Sequence, residues 1–188
     1  MYIISWNING IASSFAELLS LVDEYKPDFV CLQKIRNNSS REDFGIHGYS
    51  QLYDMQDCGN WSGVMIYARI PDNAARHTDA NSSLLRVQTP ELSKDGHLQV
   101  YDCNEFILVN AYVPFANFNI EGAVDLRKWW DIKFRHLIKK LAAKKPVIIC
   151  GDLNIVHTNK DSCEPNIEIH RPCFTSWERD NFGKPRRG

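Results

Sequence analysis

Three apolar runs in this 188-residue sequence end in polar residues that can act together. The first closes as Trp6-Asn7-Ile8-Asn9-Gly10, the second as Asn110-Ala111-Tyr112-Val113-Pro114, and the third as Gly151-Asp152-Leu153-Asn154. A carboxylate binds Mg²⁺ or deprotonates water, an amide holds either in place, and a phenol donates to a phosphate oxygen. Polar groups that converge at strand ends are a common way of building a site on an α/β scaffold. Each run alone has a plainer explanation. G-D-x-N is a frequent turn after a strand, in which Asp and Asn bond their own backbone. W-N-x-x-G is a strand-turn-helix junction, and a tyrosine in an apolar strand is more often a core aromatic. The three together, in this order and spacing, are far more specific.

The elements that position these residues can be read along the chain. Tyr2 to Ile8 is rich in β-formers and stops at Asn9-Gly10. Ile11, Phe15, Leu18, Leu19, Val22 and Tyr25 then recur at helical spacing, and the helix ends before Lys26-Pro27. Asp28 to Gln33 is a short apolar strand, so a parallel pair with a right-handed crossover is expected. His47 to Met55, Ser62 to Arg69, Leu84 to Thr89, His97 to Cys103 and Glu105 to Val113 read as an antiparallel meander. Glu121 to Lys144 is predicted as a second helix, with Leu126, Trp130, Phe134, Leu137, Ile138 and Leu141 along one face. Pro146 breaks it before a buried strand, Val147 to Cys150. Thr175 to Phe182 carries a capping signal, with Glu178 three places after Thr175. The pattern predicts an α/β fold of two packed sheets with outer helices, in one domain over residues 1–188. After Cys150 almost no strand material follows, so the second sheet is expected to be incomplete, with an open edge for self-association or a partner chain.

Composition narrows the function classes. A net charge of -1 gives no global positive field, so contact with nucleic acid must come from local basic residues. The six cysteines form no C-x-x-C pair and read as reduced core residues. MYIISWNING has no basic segment followed by an apolar stretch and is not expected to act as a secretory leader, and no run approaches the ~20 apolar residues that span a membrane. A cytoplasmic location, or a nuclear one in a eukaryote, is expected.

The chain resembles the exonuclease III and AP endonuclease group of the endonuclease/exonuclease/phosphatase superfamily. The matching segments are ISWNINGI (4–11), PDFVCLQ (27–33), WSGVMIYAR (61–69), DGHLQV (95–100), FILVNAYVP (106–114), LRKWWDIKF (126–134), PVIICGDLNIVH (146–157) and CFTSWERDNF (173–182). The resemblance implies a four-layered α/β sandwich and Mg- or Mn-dependent cleavage of abasic or 3′-blocked duplex DNA, with 3′ exonuclease-type activity. Asn7, Asp152 and Asn154 would hold the metal. Asp152 would also orient or deprotonate the attacking water, Asn154 would position the phosphate, and Tyr112 would stabilise the transition state. Trp61, Arg36 and Arg171 would contact DNA.

The sequence departs from that pattern at one decisive place. The family's L-Q-E-T-K glutamate, its principal metal ligand, is replaced by Lys34 in Leu32-Gln33-Lys34-Ile35-Arg36. Two like charges ~4 Å apart at an effective dielectric near 20 repel by ~4 kcal/mol, several hundred-fold in affinity. Phe115 stands where the family presents small or polar residues, and the closing R-x-D and S-D-H motifs are absent before Gly188. Impaired catalysis is expected, with a non-catalytic DNA-binding module or a half-enzyme completed by another chain as the alternatives.

Overall fold

The computed structural model describes residues 1–36, 44–52, 63–70, 84–93, 97–164 and 171–183. Trp61 lies outside them. The chain divides into two compact units, Met1–Tyr112 with Leu141–Asp152, and Val113–Lys140 with Leu153–Gly188.

Among the described residues, all the strands belong to the first unit. Strands β1 (Ile3–Asn7), β2 (Phe29–Gln33), β3 (Tyr49–Leu52) and β4 (Val64–Arg69) form one sheet in the order β1-β2-β4-β3. Strands β5 (Leu85–Arg86), β6 (Leu98–Asp102), β7 (Ile107–Tyr112) and β8 (Val147–Asp152) form the other, in sequence order. Both sheets are mixed: β1 with β2 and β7 with β8 are the parallel pairs, and the other pairings are antiparallel. Each parallel pair is joined through a helix, α1 (Ile11–Tyr25) for the first and α3 (Ala123–Ala142) for the second. A short helix, α2 (Pro90–Ser93), occupies a connection between two expected strands, and β5 is only two residues long.

Strand alternation sorts the side chains into two cores. Ile4, Trp6, Val30, Leu32, Met65 and Tyr67 face α1 and pack with its Ile11, Phe15, Leu18 and Val22. Leu19 and Tyr25, expected on the same stripe, are largely exposed. The opposite stripe, with Cys31, Ile66 and Ala68, meets Tyr101, Leu108, Ile148 and Cys150 of the second sheet. The sheets are therefore packed face to face, and continuing these inner stripes to the strand ends reaches Asn7, Gln33, Tyr112 and Asp152.

In the second unit, α3 is two residues shorter at each end than the sequence predicts. Its buried residues are Arg127, Trp130 and Leu141, while Leu126 is 49% exposed. An arginine has taken the inward position expected for a leucine, because it satisfies backbone carbonyls there. Helix α4 (Ser176–Phe182) starts with the expected capping box between Thr175 and Glu178. Among the described residues no strand follows β8, and no helix is long and apolar enough to cross a membrane.

Candidate active site

Backbone geometry creates the site in the first unit. The β1–β2 ladder continues past both strands, through bonds from Ile8 N to Gln33 O (3.0 Å), Gly10 N to Lys34 O (2.8 Å) and Ile11 N to Ile35 O (2.9 Å). On the other side Ile35 N donates to Gly63 O at 3.3 Å. Gln33 and Ile35 are buried, and Lys34 between them takes a left-handed φ of 53°. Such a backbone costs a residue with a Cβ about 1–2 kcal/mol, and the flanking hydrogen bonds hold it there. The half-buried Lys34 side chain lies over Tyr112, with Nζ 5.1 Å from the ring centroid. That cation–π contact contributes about 0.5–2 kcal/mol.

Tyr112 and Asp152 are direct partners in the β7–β8 register. Gly151 makes that parallel approach possible: a Cβ there would sit 2.0 Å from the Ala111 carbonyl oxygen. Asp152 in turn accepts a hydrogen bond at 2.7 Å from the Asn7 amide nitrogen. The amide oxygen of Asn7 is buried and has no hydrogen-bond partner among the described residues. The structure thus brings Asn7, Lys34, Tyr112 and Asp152 to one end of the sandwich.

Two further features adjoin this cluster, of which His97 was not singled out from the sequence. His97 stacks on the Tyr112 ring (5.5 Å, 24°), and its Nδ1 is 2.6 Å from the Tyr112 carbonyl oxygen. That contact requires the proton on Nδ1, since a carbonyl only accepts. Gln33 and Asn110 form the second feature. Gln33 Nε2 donates to Asn110 Oδ1 at 2.8 Å, and Asn110 Nδ2 donates to the carbonyls of Leu32 and Met65, both at 3.0 Å. Asn110 is fully buried. Counted from the sequence among the polar strand ends, it serves as a polar pin between the two sheets.

Of the remaining sequence candidates, Asn154 and Arg171 belong to the second unit and Arg36 to the first. Asn154 lies in the second unit, where its Nδ2 donates to Val113 O at 2.7 Å. Its loop is held by Arg127, which donates to the carbonyls of Pro114 (3.1 Å), Leu153 (3.3 Å) and Asn154 (3.0 Å) and pairs with Asp131 at 2.8 Å. Fully buried Glu178 lies 3.9 Å from the same guanidinium. Burial pushes the Asp131 carboxyl up, against the pull of Arg127. Arg36 and Arg171 are exposed. Cys163 is exposed too, contrary to the expectation that the cysteines are core residues. A groove of about 620 Å³ lined by Leu19, Lys26, Ile46, Tyr49 and Arg69 opens at the N-terminal end of β2 and contains none of the candidate residues.

Residues 4–187 match the model of the endonuclease/exonuclease/phosphatase family. The chain belongs to that family. It is 30% identical over 186 residues to a DNA-(apurinic or apyrimidinic site) endonuclease of Dictyostelium discoideum, covering 97% of this chain and 49% of the relative. It is 30% identical over 188 residues to a DNA repair nuclease of Danio rerio, covering 97% and 58%. The chain therefore spans only about half the length of these relatives. Its fold superposes on a Neisseria 3′ phosphatase bound to product DNA hairpin, with a TM-score of 0.77 and 17% identity, over 97% of this chain and 68% of that one.

Family nucleases usually depend on a metal ion, and the fit of one can be tested against the side chains present. The orphaned Asn7 oxygen and the Asp152 carboxylate are suitable oxygen ligands. Against them stands the Lys34 ammonium over Tyr112. Among the described residues no group of three His, Cys, Asp or Glu side chains can hold an ion. With one carboxylate and an adjacent fixed cation, the donor set does not fit a divalent ion of the family's kind.

Proposed function

We propose that this chain is a nuclease-family domain that binds the phosphodiester backbone of DNA at the cluster of Asn7, Lys34, Tyr112 and Asp152, and that hydrolyses abasic or 3′-blocked duplex weakly or not at all. The observation that carries this is the Lys34 ammonium held over Tyr112. A fixed cation among hydrogen-bonding groups suits a phosphate oxygen, as it would otherwise repel a metal ion. In this reading Lys34 grips the phosphate, and the Tyr112 hydroxyl donates to a second oxygen. Asp152, oriented by Asn7, faces the water that would attack, and Asn154 positions the phosphate. Arg36, Trp61 and Arg171 supply further DNA contacts. Fixed groups aimed at developing charge are worth most where they need not reorganise, so residual hydrolysis would rest on this arrangement.

The test is incision of an abasic duplex in Mg²⁺ or Mn²⁺ by the chain, Lys34→Glu and Asp152→Ala, alongside binding in low salt with and without EDTA. The expected result is salt-sensitive binding that EDTA does not change, weakened by Lys34→Glu, with little incision by the unmodified chain. Fast, metal-dependent incision by the unmodified chain would overturn the reading. Incision restored by Lys34→Glu would place the defect at that one side chain. Self-association belongs to the same proposal: β8 is paired on one side only among the described residues, and Ile149 on it is 39% exposed. Sedimentation equilibrium giving a monomer at all concentrations would remove it.

A further inference from the structure

Helix α3 carries a stripe on the side away from its buried residues. Asp125, Trp129, Ile132, His136 and Lys139 recur at alternating steps of four and three, the spacing that keeps side chains in one row along a helix. All five are exposed, Trp129 by 40% and Ile132 by 48%, whereas Arg127 and Trp130 are buried. Helix α4 occupies a neighbouring row, where Lys128 lies over the Trp177 ring (5.5 Å) and Arg135 donates to Asn181 (3.1 Å). The charge along the stripe is ordered. Glu121, just before the helix, and Asp125 lie at the N-terminal end, Trp129 and Ile132 in the middle, and Lys139 and Lys140 at the C-terminal end, all of them exposed.

We infer that this stripe is an interaction surface for a second copy of the chain, docked antiparallel about a twofold axis through Ile132. A surface of that kind must be its own complement. Here position 132 meets itself, and Asp125, seven residues before it, meets Lys139, seven residues after it, on the other copy. A parallel arrangement would set acid against acid and base against base. The antiparallel one also opposes the two helix dipoles. Exposed ion pairs contribute little singly, so the charges fix the direction, and burial of Trp129 and Ile132 supplies the affinity. A helix of 20 residues is ~30 Å long, and contact along one helix makes a small interface, so the dimer is weak and reversible. The stripe belongs to the second unit and β8 to the first, so this surface is distinct from the β8 edge.

Sedimentation equilibrium of the full chain tests this. The unmodified chain should show a concentration-dependent monomer–dimer equilibrium, and Ile132→Glu, which sets two carboxylates on the axis, should leave it monomeric. Asp125→Lys, and the double variant Lys139→Glu with Lys140→Glu, should each weaken the dimer about tenfold by placing like charges opposite one another. Mixed in equal amounts, these two proteins should recover it as a heterodimer, since each supplies the charge that the other lacks. Every substituted residue is exposed, so the variants should keep the circular dichroism of the unmodified chain. A monomer at every concentration would overturn the inference. So would a mixture no tighter than either variant alone, or association unchanged by Ile132→Glu, which would point to the β8 edge instead.

Discussion

The two units hold their chemistry in place by different physical means. In the first, two apolar stripes do most of the work, and one amide pair, Gln33 with Asn110, crosses between the sheets. In the second, the buried apolar side chains include Val113, Ala116, Trp130 and Phe174, and the loop carrying Asn154 hangs on a buried arginine. Arg127 serves three carbonyls and two carboxylates at once. A sheet sandwich tolerates many apolar exchanges of similar volume. A loop held by one guanidinium tolerates none at that residue.

The sharpest break in this contrast is Arg127→Met, which leaves buried Glu178 uncompensated. A loss of about 3–5 kcal/mol is expected by denaturant titration. Hydrogen exchange should quicken in 113–140 and 153–183, while β1 to β8 stay protected. Exchange spread evenly over the whole chain would erase the distinction between the units. Next comes Asn110→Ala, which removes one bond from Gln33 and two bonds to carbonyls; a loss of about 3 kcal/mol is expected, with protection lost across both sheets. Thr175→Ala removes the cap of α4 and should cost about 1 kcal/mol, confined to the second unit.

The smallest effect concerns Asp28, whose pairing with Arg69 holds its carboxyl below the usual carboxylate range. A depressed folded value means that its contribution is present above pH ~3.9, the unfolded value, and is lost as pH falls through the folded one. The thermal midpoint should fall on acidification below about pH 4 less steeply in Asp28→Asn than in the unmodified chain. Equal slopes would show the pair to be inert, as exposed pairs often are.

Much of the fold was legible because it rests on period. Runs of β-formers and apolar residues predicted the strands leading to Asn7, Tyr112 and Asp152, and helical spacing predicted α1 and α3. The Thr175–Glu178 signal placed α4. What period cannot show is which polar residue is buried and by what. Leu126 was expected inward, but Arg127 one place on is the buried residue, since its partners come from Pro114, Leu153, Asn154 and Glu178, distant in sequence. Asn110 read as a member of a site and is a pin, because its partners lie 45 to 78 residues away. His97 gave no signal, being one of six scattered histidines. The meander was overextended at Leu84 to Thr89, where β5 keeps two residues before the chain turns into α2.

The frame around Lys34 has one more consequence. Its left-handed backbone is fixed by peptide groups of its neighbours and by the buried side chains of Gln33 and Ile35. The Lys34 side chain contributes nothing to that frame, so the position behaves as a socket whose occupant can be exchanged without refolding the rim. Swapping a cation for an anion there changes the local charge by two units at a fixed place. Under the proposed function, a single substitution there would move the site between holding phosphate directly and holding it through an ion.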